Sequence, residues 1–160
     1  MSLYWVKTPQ PGRLAVAARP RGGDWLGDEL RSLTREGVEV LVSLLTRQES
    51  EDLGLADELK ECESAKLTFL SFPIEDRSLP HAHNEFAAFV DRLIQDLSQG
   101  KSIAAHCRAG IGRSVMLVAC TLIRCGVPAE DAMKRIQDAR GCPVPDTPEQ
   151  VNFIHRFAKR

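Results

Sequence analysis

Residues 102–114 read SIAAHCRAGIGRS, and this stretch is the most informative part of the chain. A short apolar run ends at His106, a loop with two glycines follows, and an apolar helix begins at Arg113. Glycines let the backbone turn so that successive N–H groups point into one concavity beside a helix N-terminus. Such a concavity attracts anions, and phosphate in particular. The stretch therefore predicts a strand, an anion-binding loop and a buried helix, in that order.

A cysteine stands at the start of this loop and an arginine at its end. A thiol beside a helix N-terminus and a cation ionises readily, so Cys107 is expected to be a thiolate nucleophile. The Arg113 guanidinium can donate to two phosphate oxygens at once. A zinc site on His106 and Cys107 is not expected, because two adjacent residues without further spaced ligands form no tetrahedral site. The expected phosphate-binding residues are Arg108, Ala109, Gly110, Ile111, Gly112 and Arg113.

The rest of the chain alternates short apolar runs with amphipathic stretches, which is typical of an α/β fold. Strands are predicted at residues 14–18, 38–45, 66–74 and 102–106. Helices are predicted at residues 24–35, from 46 towards 62, and at 84–97, 113–125, 128–141 and 147–157. Asp24 is the expected N-cap of the first helix, Thr46 and Glu49 have capping-box spacing at the start of the second, and residues 84–97 carry one apolar stripe. This order favours one α/β domain over residues 1–160, with a largely parallel sheet of about four to five strands covered by helices. Ligands of such sheets bind beyond the carboxyl ends of the strands, here after Ile74 and after His106.

Composition narrows the class of protein. The 160 residues are 43% hydrophobic and 27% charged, which is ordinary for one globular domain. A net charge of −1 gives no electrostatic case for nucleic-acid or anionic-membrane binding. The five cysteines show no C-x-x-C pair, which favours free thiols in a reducing cytoplasm. We expect neither a signal peptide nor a membrane span, and no inference rests on residues 1–3. We expect a cytoplasmic monomer.

Residues 106–114 resemble the H-C-x5-R-[ST] signature of the cysteine-based protein tyrosine phosphatases. The short chain is most similar to their compact dual-specificity branch, over roughly residues 14–157. The resemblance implies a protein tyrosine phosphatase-like fold. It also implies hydrolysis of phosphomonoesters in phosphorylated proteins through a cysteinyl-phosphate on Cys107, without metal or cofactor.

The departing oxygen needs a proton, and a carboxylic acid on a neighbouring loop is the natural donor. Residues 72–80, FPIEDRSLP, offer Glu75 and Asp76. In the family the acid is an Asp about thirty residues before the nucleophile. Asp76 lies 31 residues before Cys107, so the resemblance implies Asp76, with Glu75 as the rival.

The resemblance implies further roles around the loop. The Ser114 hydroxyl would hydrogen-bond Cys107 and help the sulfur leave, or simply satisfy the first turn of the helix. His106 would tune the loop and the thiolate from behind, or be a core histidine bonded to backbone. Gln150 would place the attacking water, although Thr147 and Gln150 also have the spacing of a capping box.

Three other residues are weaker candidates. His81 and His83 follow the acid loop and would either contact substrate or lie in a solvated loop. Arg19, after the first predicted strand, would either approach the rim of the pocket or be a solvated strand-end charge.

The short chain shows no aromatic recognition loop of the large tyrosine-specific enzymes. We therefore expect a shallow pocket that accepts phosphotyrosine and also phosphoserine and phosphothreonine. Phosphoinositide phosphatases tend to carry lysines in the loop, and this loop has none. RNA 5′-phosphatases share the loop, but a net charge of −1 does not favour binding to RNA. Sulfurtransferase-like thiol chemistry and a silent phosphate-binding module are the alternatives from other classes.

Overall fold

The β-strands form one five-stranded sheet in the order β1-β2-β5-β3-β4 in the computed structural model, which describes residues 1–160. The strands are β1 Leu3–Val6, β2 Leu14–Ala17, β3 Val40–Ser43, β4 Thr68–Ser71 and β5 Ile103–His106. All pairs are parallel except β1–β2, which is antiparallel. The seven helices are α1 Leu26–Arg35, α2 Arg47–Asp52, α3 Glu58–Ser64, α4 His83–Ser98, α5 Arg113–Arg124, α6 Ala129–Arg140 and α7 Pro148–Ala158. The predicted α/β fold with a largely parallel sheet is confirmed.

Helices cover both faces of the sheet because neighbouring residues of each strand point to opposite sides. In β5, Ile103 and Ala105 join the larger core with α4, α5, α6 and α7, whereas Ala104 joins the smaller core with α1 and α3. Helix α5 is buried from Arg113 through Leu122, as its all-round apolar sequence predicts. None of the helices is both long and apolar enough to cross a bilayer.

The structure corrects the predicted boundaries in several places. Strand β1 was not predicted, because its four residues, LYWV, carry no alternating pattern; at the sheet edge only Val6 is buried. The third predicted strand, 66–74, contracts to β4, Thr68–Ser71. Beyond it the chain leaves the sheet while still donating from Ile74 N–H to the Leu44 carbonyl. Asp24 does not cap α1; it lies in a 3-10 turn, Gly23–Trp25, that leads into the helix.

The helix predicted from residue 46 towards 62 is two helices. Thr46 and Glu49 do form the predicted capping box at the start of α2. The chain then reverses after Asp52, where Leu55 N–H donates to the Ser50 carbonyl at 2.7 Å, and α3 begins at Glu58. The break turns α3 back towards the end of β5. Because β3 pairs parallel with both β4 and β5, the loops after β4 and β5 meet at the same edge of the sheet.

Candidate active site

The loop between β5 and α5 is held tightly by its surroundings. Gly110 has φ +72°, and a Cβ there would lie 2.8 Å from the backbone of Ala17, so only glycine fits. Arg140 donates from Nε to the Gly110 carbonyl at 2.8 Å, and Arg19 N–H donates to the Arg108 carbonyl at 3.1 Å. These contacts fix the outer side of the loop. On the inner side, the Gly110 and Ser114 amides donate to the sulfur of Cys107.

Cys107 is only 3% exposed and lies at the bottom of the loop. Its Sγ is 3.2 Å from Ser114 Oγ, as the resemblance implied. Burial by itself raises the pKa of the Cys107 thiol. Hydrogen bonds from the Ser114 hydroxyl and amide and from the Gly110 amide, with the charge of Arg113, more than offset this and lower the pKa. By contrast, burial raises the pKa of Cys62 to about 12.

The Arg113 side chain is almost completely buried, and four hydrogen bonds hold its guanidinium in one orientation. Its Nη1 donates to Glu49 Oε1 at 2.7 Å and to the Ile74 carbonyl at 2.8 Å. Its Nη2 donates to Glu49 Oε2 at 2.9 Å and to Asp76 Oδ1 at 3.1 Å. Burial tends to raise the pKa of Glu49, but Arg113 and the amide and hydroxyl of Thr46 lower it to about 2. Glu49 is therefore a carboxylate that fixes the plane of the arginine.

One cavity of about 170 Å³ opens above Cys107. Its lining residues are Asp76, Arg77, Cys107, Arg108, Ala109, Ile111, Gly112, Arg113, Asp146 and Gln150. The structure thus brings the predicted nucleophile, arginine, acid and glutamine together with most of the predicted loop. Glu75, the rival acid, is exposed and is not part of the lining. The Arg108 side chain is half-exposed, with Nε 3.5 Å from Glu49 Oε2.

Gln150 combines the two arrangements that the sequence left open. Its Oε1 accepts from Thr147 N–H at 3.2 Å, and Thr147 Oγ1 accepts from Gln150 N–H, so the capping box is present. The same side chain lines the cavity. A Cβ on Gly112 would lie 3.2 Å from Gln150 Oε1 and 3.1 Å from Asp146 Cβ, so a side chain at 112 would push these neighbours away from the loop by a few tenths of an ångström.

The acid loop is tied to the segment before α7. Arg77 Nη1 donates to Asp146 Oδ2 at 2.8 Å, and Gln150 Nε2 donates to the Ser78 carbonyl at 3.4 Å. Sequence reasoning missed Glu49 and Asp146 as site residues. The Thr46–Glu49 capping signal located Glu49 on a helix start but could not give its partner 64 residues later.

The weaker candidates lie outside this cavity. His83 begins α4 and stacks on Phe153 with ring centroids 5.2 Å apart. His81 is exposed, and Arg19 donates from Nη1 to the carbonyl of Pro20. His106 is fully buried behind Cys107: its Nδ1 is 3.1 Å from the Cys107 carbonyl and its Nε2 is 2.6 Å from Glu58 Oε2.

Known proteins share both this sequence pattern and this fold. A family model described as "Polymorphic toxin system, DSP-PTPase phosphatase" matches residues 15–127. The tyrosine phosphatase 197R of Invertebrate iridescent virus 6 is 28% identical over 156 residues, which cover 95% of this chain; the chain spans 55% of that protein's length.

Two solved structures are similar across almost the whole chain. Kinase associated phosphatase has a TM-score of 0.87 at 21% identity, covering 99% of this chain and 94% of that chain. PTPMT1 in complex with PI(5)P has a TM-score of 0.78 at 22% identity, covering 97% and 95%. At these identities the two structures demonstrate a shared fold. Because the family model matches well over half of its residues, the chain belongs to the dual-specificity type of the cysteine-based protein tyrosine phosphatases.

Proposed function

We propose that this protein hydrolyses phosphotyrosine, phosphoserine and phosphothreonine in proteins through a cysteinyl-phosphate intermediate. The observation that carries the proposal is the meeting of Cys107, Arg113 and Asp76 in one cavity of about 170 Å³. A thiolate nucleophile, a fixed cation and a carboxylic acid together supply what phosphoryl transfer needs without a metal: attack on phosphorus, stabilisation of its charge and protonation of the leaving oxygen.

In the first step the phosphate binds the loop amides and the Arg113 guanidinium. The Cys107 thiolate attacks phosphorus, the bond from phosphorus to the leaving oxygen breaks, and Asp76 gives that oxygen its proton. Asp76 is held by Arg113 Nη2 before substrate arrives. A phosphate dianion that takes over this donor releases Asp76 to face the leaving oxygen.

In the second step the Asp76 carboxylate takes a proton from water. The water oxygen attacks phosphorus and the S–P bond breaks, which returns the thiolate and inorganic phosphate. The Ser114 hydroxyl, 3.2 Å from Sγ, donates to the departing sulfur. Gln150, which lines the same cavity, is the residue we assign to holding the water.

The shape of the cavity supports a broad choice of phosphorylated residue. No aromatic side chain is among its lining residues, and its volume is small. A shallow rim without aromatic side chains offers a phenyl ring no surface to stack on, so alkyl and aryl phosphates can both reach Cys107. The need for a free thiolate favours action in a reducing compartment, and we place the enzyme in the cytoplasm as a monomer.

A phosphoinositide is the second candidate substrate. It is favoured by the likeness to the structure of PTPMT1 with PI(5)P and by two arginines, Arg77 and Arg108, in the cavity lining. Each arginine already has a carboxylate partner: Arg77 pairs with Asp146, and Arg108 pairs with Glu49. This pairing leaves less positive charge for a second headgroup phosphate, and protein substrates remain our first choice.

The first experiment is hydrolysis of p-nitrophenyl phosphate near pH 6 with EDTA present, for the wild-type protein and Cys107→Ser. We expect turnover in the wild type and none in the variant. A panel of phosphotyrosine, phosphoserine and phosphothreonine peptides and PI(5)P vesicles then ranks the substrates. Transfer of sulfur to cyanide without ester hydrolysis, or phosphopeptide binding without turnover, would overturn the proposal.

A further inference from the structure

A buried carboxylate lies behind the catalytic loop, on the side away from substrate. Glu58 is the first residue of α3 and is 2% exposed. Its Oε2 is 2.6 Å from His106 Nε2, and its Oε1 has no hydrogen-bond partner. Glu58 does not line the cavity above Cys107. It therefore cannot act on substrate directly, and its contact with His106 is its connection to the site.

His106 joins Glu58 to the nucleophile through its two ring nitrogens. Nδ1 lies 3.1 Å from the Cys107 carbonyl, and a carbonyl oxygen only accepts, so Nδ1 carries a hydrogen. Nε2 donates to the Glu58 carboxylate at the same time, so both ring nitrogens carry a hydrogen and the ring is held as an imidazolium. Without Glu58 the neutral ring could equally carry its hydrogen on Nε2, and a bare Nδ1 would then repel the Cys107 carbonyl.

We propose that Glu58 is a positioning residue of the phosphatase: it holds His106 protonated at Nδ1, so that the histidine anchors the Cys107 carbonyl and favours the thiolate. This inference deepens the proposed function, since it rests on Cys107 as the nucleophile. It assigns a role to a residue 48 positions before His106, on the opposite face of the sheet from α5.

The charges around His106 support this role. Burial lowers the pKa of His106, but the charge and hydrogen bond of Glu58, with the Cys107 carbonyl and the Cys107 charge, more than offset it and raise the pKa. The attraction is mutual: a thiolate that stabilises the imidazolium is stabilised by it. Glu58 binds the nitrogen remote from Cys107, so the ring presents its Nδ1–H to the Cys107 backbone. The charged groups that act on His106 are Glu58 from α3 and Cys107 from the catalytic loop, and Arg113 from α5 acts in turn on Cys107.

A second cavity gives the proposal a sharp test. We call it the rear cavity; it has a volume of about 310 Å³ and is lined by Glu58 together with Ser43, Leu45, Leu55 and Phe69 among others. Truncation of Glu58 joins the vacated space to the rear cavity. A small carboxylate such as formate can then enter and replace the missing group.

The experiment measures the thiolate pKa of Cys107 from the pH dependence of its alkylation by iodoacetamide, followed on the Cys107 peptide by mass spectrometry. We compare wild type, Glu58→Gln, Glu58→Ala and the matched control Glu63→Gln, an exposed glutamate on the same helix. We expect Glu58→Gln and Glu58→Ala to raise the pKa of Cys107 by about 0.5 units or more. Glu63→Gln should leave it unchanged. Formate should lower it again in Glu58→Ala only.

An unchanged Cys107 pKa in a folded Glu58→Gln protein would overturn the proposal. If both Glu58 variants fail to fold, nitrogen NMR of the wild-type His106 ring decides instead. We expect Nδ1 to be protonated at every pH between about 6 and 8, and a ring with hydrogen only on Nε2 would refute the role. Alkylation needs no phosphate ester. Absence of phosphatase turnover would therefore overturn the proposed function while leaving this measurement intact.

Discussion

The side chains of Arg113 and Glu49 are joined by two parallel hydrogen bonds, from Nη1 to Oε1 at 2.7 Å and from Nη2 to Oε2 at 2.9 Å. Both side chains are largely buried. The pair leaves the guanidinium with one fixed plane and one fixed direction towards the loop. A flexible arginine would lose conformational freedom on binding phosphate, whereas this one has already lost it in the free enzyme.

Glu49→Gln should therefore weaken both activity and stability. The amide cannot accept two charge-assisted bonds, so we expect kcat/KM to fall and the free energy of unfolding to drop by about 1–3 kcal/mol. The measurement is urea denaturation together with p-nitrophenyl phosphate kinetics. Glu51→Gln, an exposed residue of the same helix, is the control and should change neither. Equal effects of the two substitutions would contradict the role of Glu49.

The same pair makes stability depend on pH. The pKa of Glu49 falls from its ordinary value of 4.5 to about 2 in the folded protein. A lowered folded-state pKa contributes stability above the unfolded value, and that contribution disappears as pH falls through the folded value. We expect the wild-type free energy of unfolding to decline between about pH 5 and pH 2. The decline should be shallower in Glu49→Gln, and parallel curves for the two proteins would refute this account.

Asp76 and Glu75 can be separated by their pH profiles. The lowered pKa of Cys107 sets the rising limb of kcat/KM, and deprotonation of the acid sets the falling limb, which gives a bell in the mildly acidic range. Asp76→Asn should lower kcat by about 10²- to 10⁴-fold and remove the falling limb. Glu75→Gln should keep both limbs. A retained falling limb in Asp76→Asn would transfer the role to another acid.

Ser114→Ala tests the departure of sulfur. Loss of the hydroxyl removes a hydrogen bond to the thiolate, so we expect hydrolysis of the cysteinyl-phosphate to slow by roughly ten- to hundredfold. Rapid-mixing kinetics should then show a burst of nitrophenol followed by a slow steady rate. Ser98→Ala, at the exposed end of α4, serves as the control. A uniform slowing of both steps would speak against a specific role in the second.

Gln150 and Thr147 share one capping box but only Gln150 lines the cavity above Cys107. Thr147→Ala should cost about 0.5–2 kcal/mol of stability through the lost cap and leave catalysis intact. Gln150→Ala should cost a similar amount and also slow the second chemical step. Thermal unfolding and burst kinetics on the two variants decide the matter. Loss of stability alone in both would make Gln150 a capping residue without a catalytic role.

The features that could be predicted from the sequence are those that depend on residues close together in the chain. The all-round apolar sequence of α5, the apolar stripe of α4 and the two capping boxes each depend on residues that lie within one helix, and each was predicted correctly. The loop between β5 and α5 was equally local, because its glycines, cysteine and arginine lie within seven residues.

The unpredicted features depend on partners that are far apart in the sequence. Glu49 and Glu58 read as ordinary helix-start acids, and only the folded chain places them against Arg113 and His106, 64 and 48 residues away. Strand β1 likewise exists because β2 offers it an edge. Local propensity contains no information about such pairings, which tertiary contacts decide.

Because α5 is buried, the phosphate-binding loop before it and the exposed loop that carries Asp76 should unfold at different temperatures. Amide hydrogens of a helix that is enclosed from Arg113 to Leu122 can exchange with solvent only when the whole domain opens. The loop of Asp76 and Arg77 is exposed and can detach by breaking a few contacts. On warming, the enzyme should therefore lose its proton donor well before it loses its phosphate cradle, and would pass through a state that still captures phosphate but no longer turns it over.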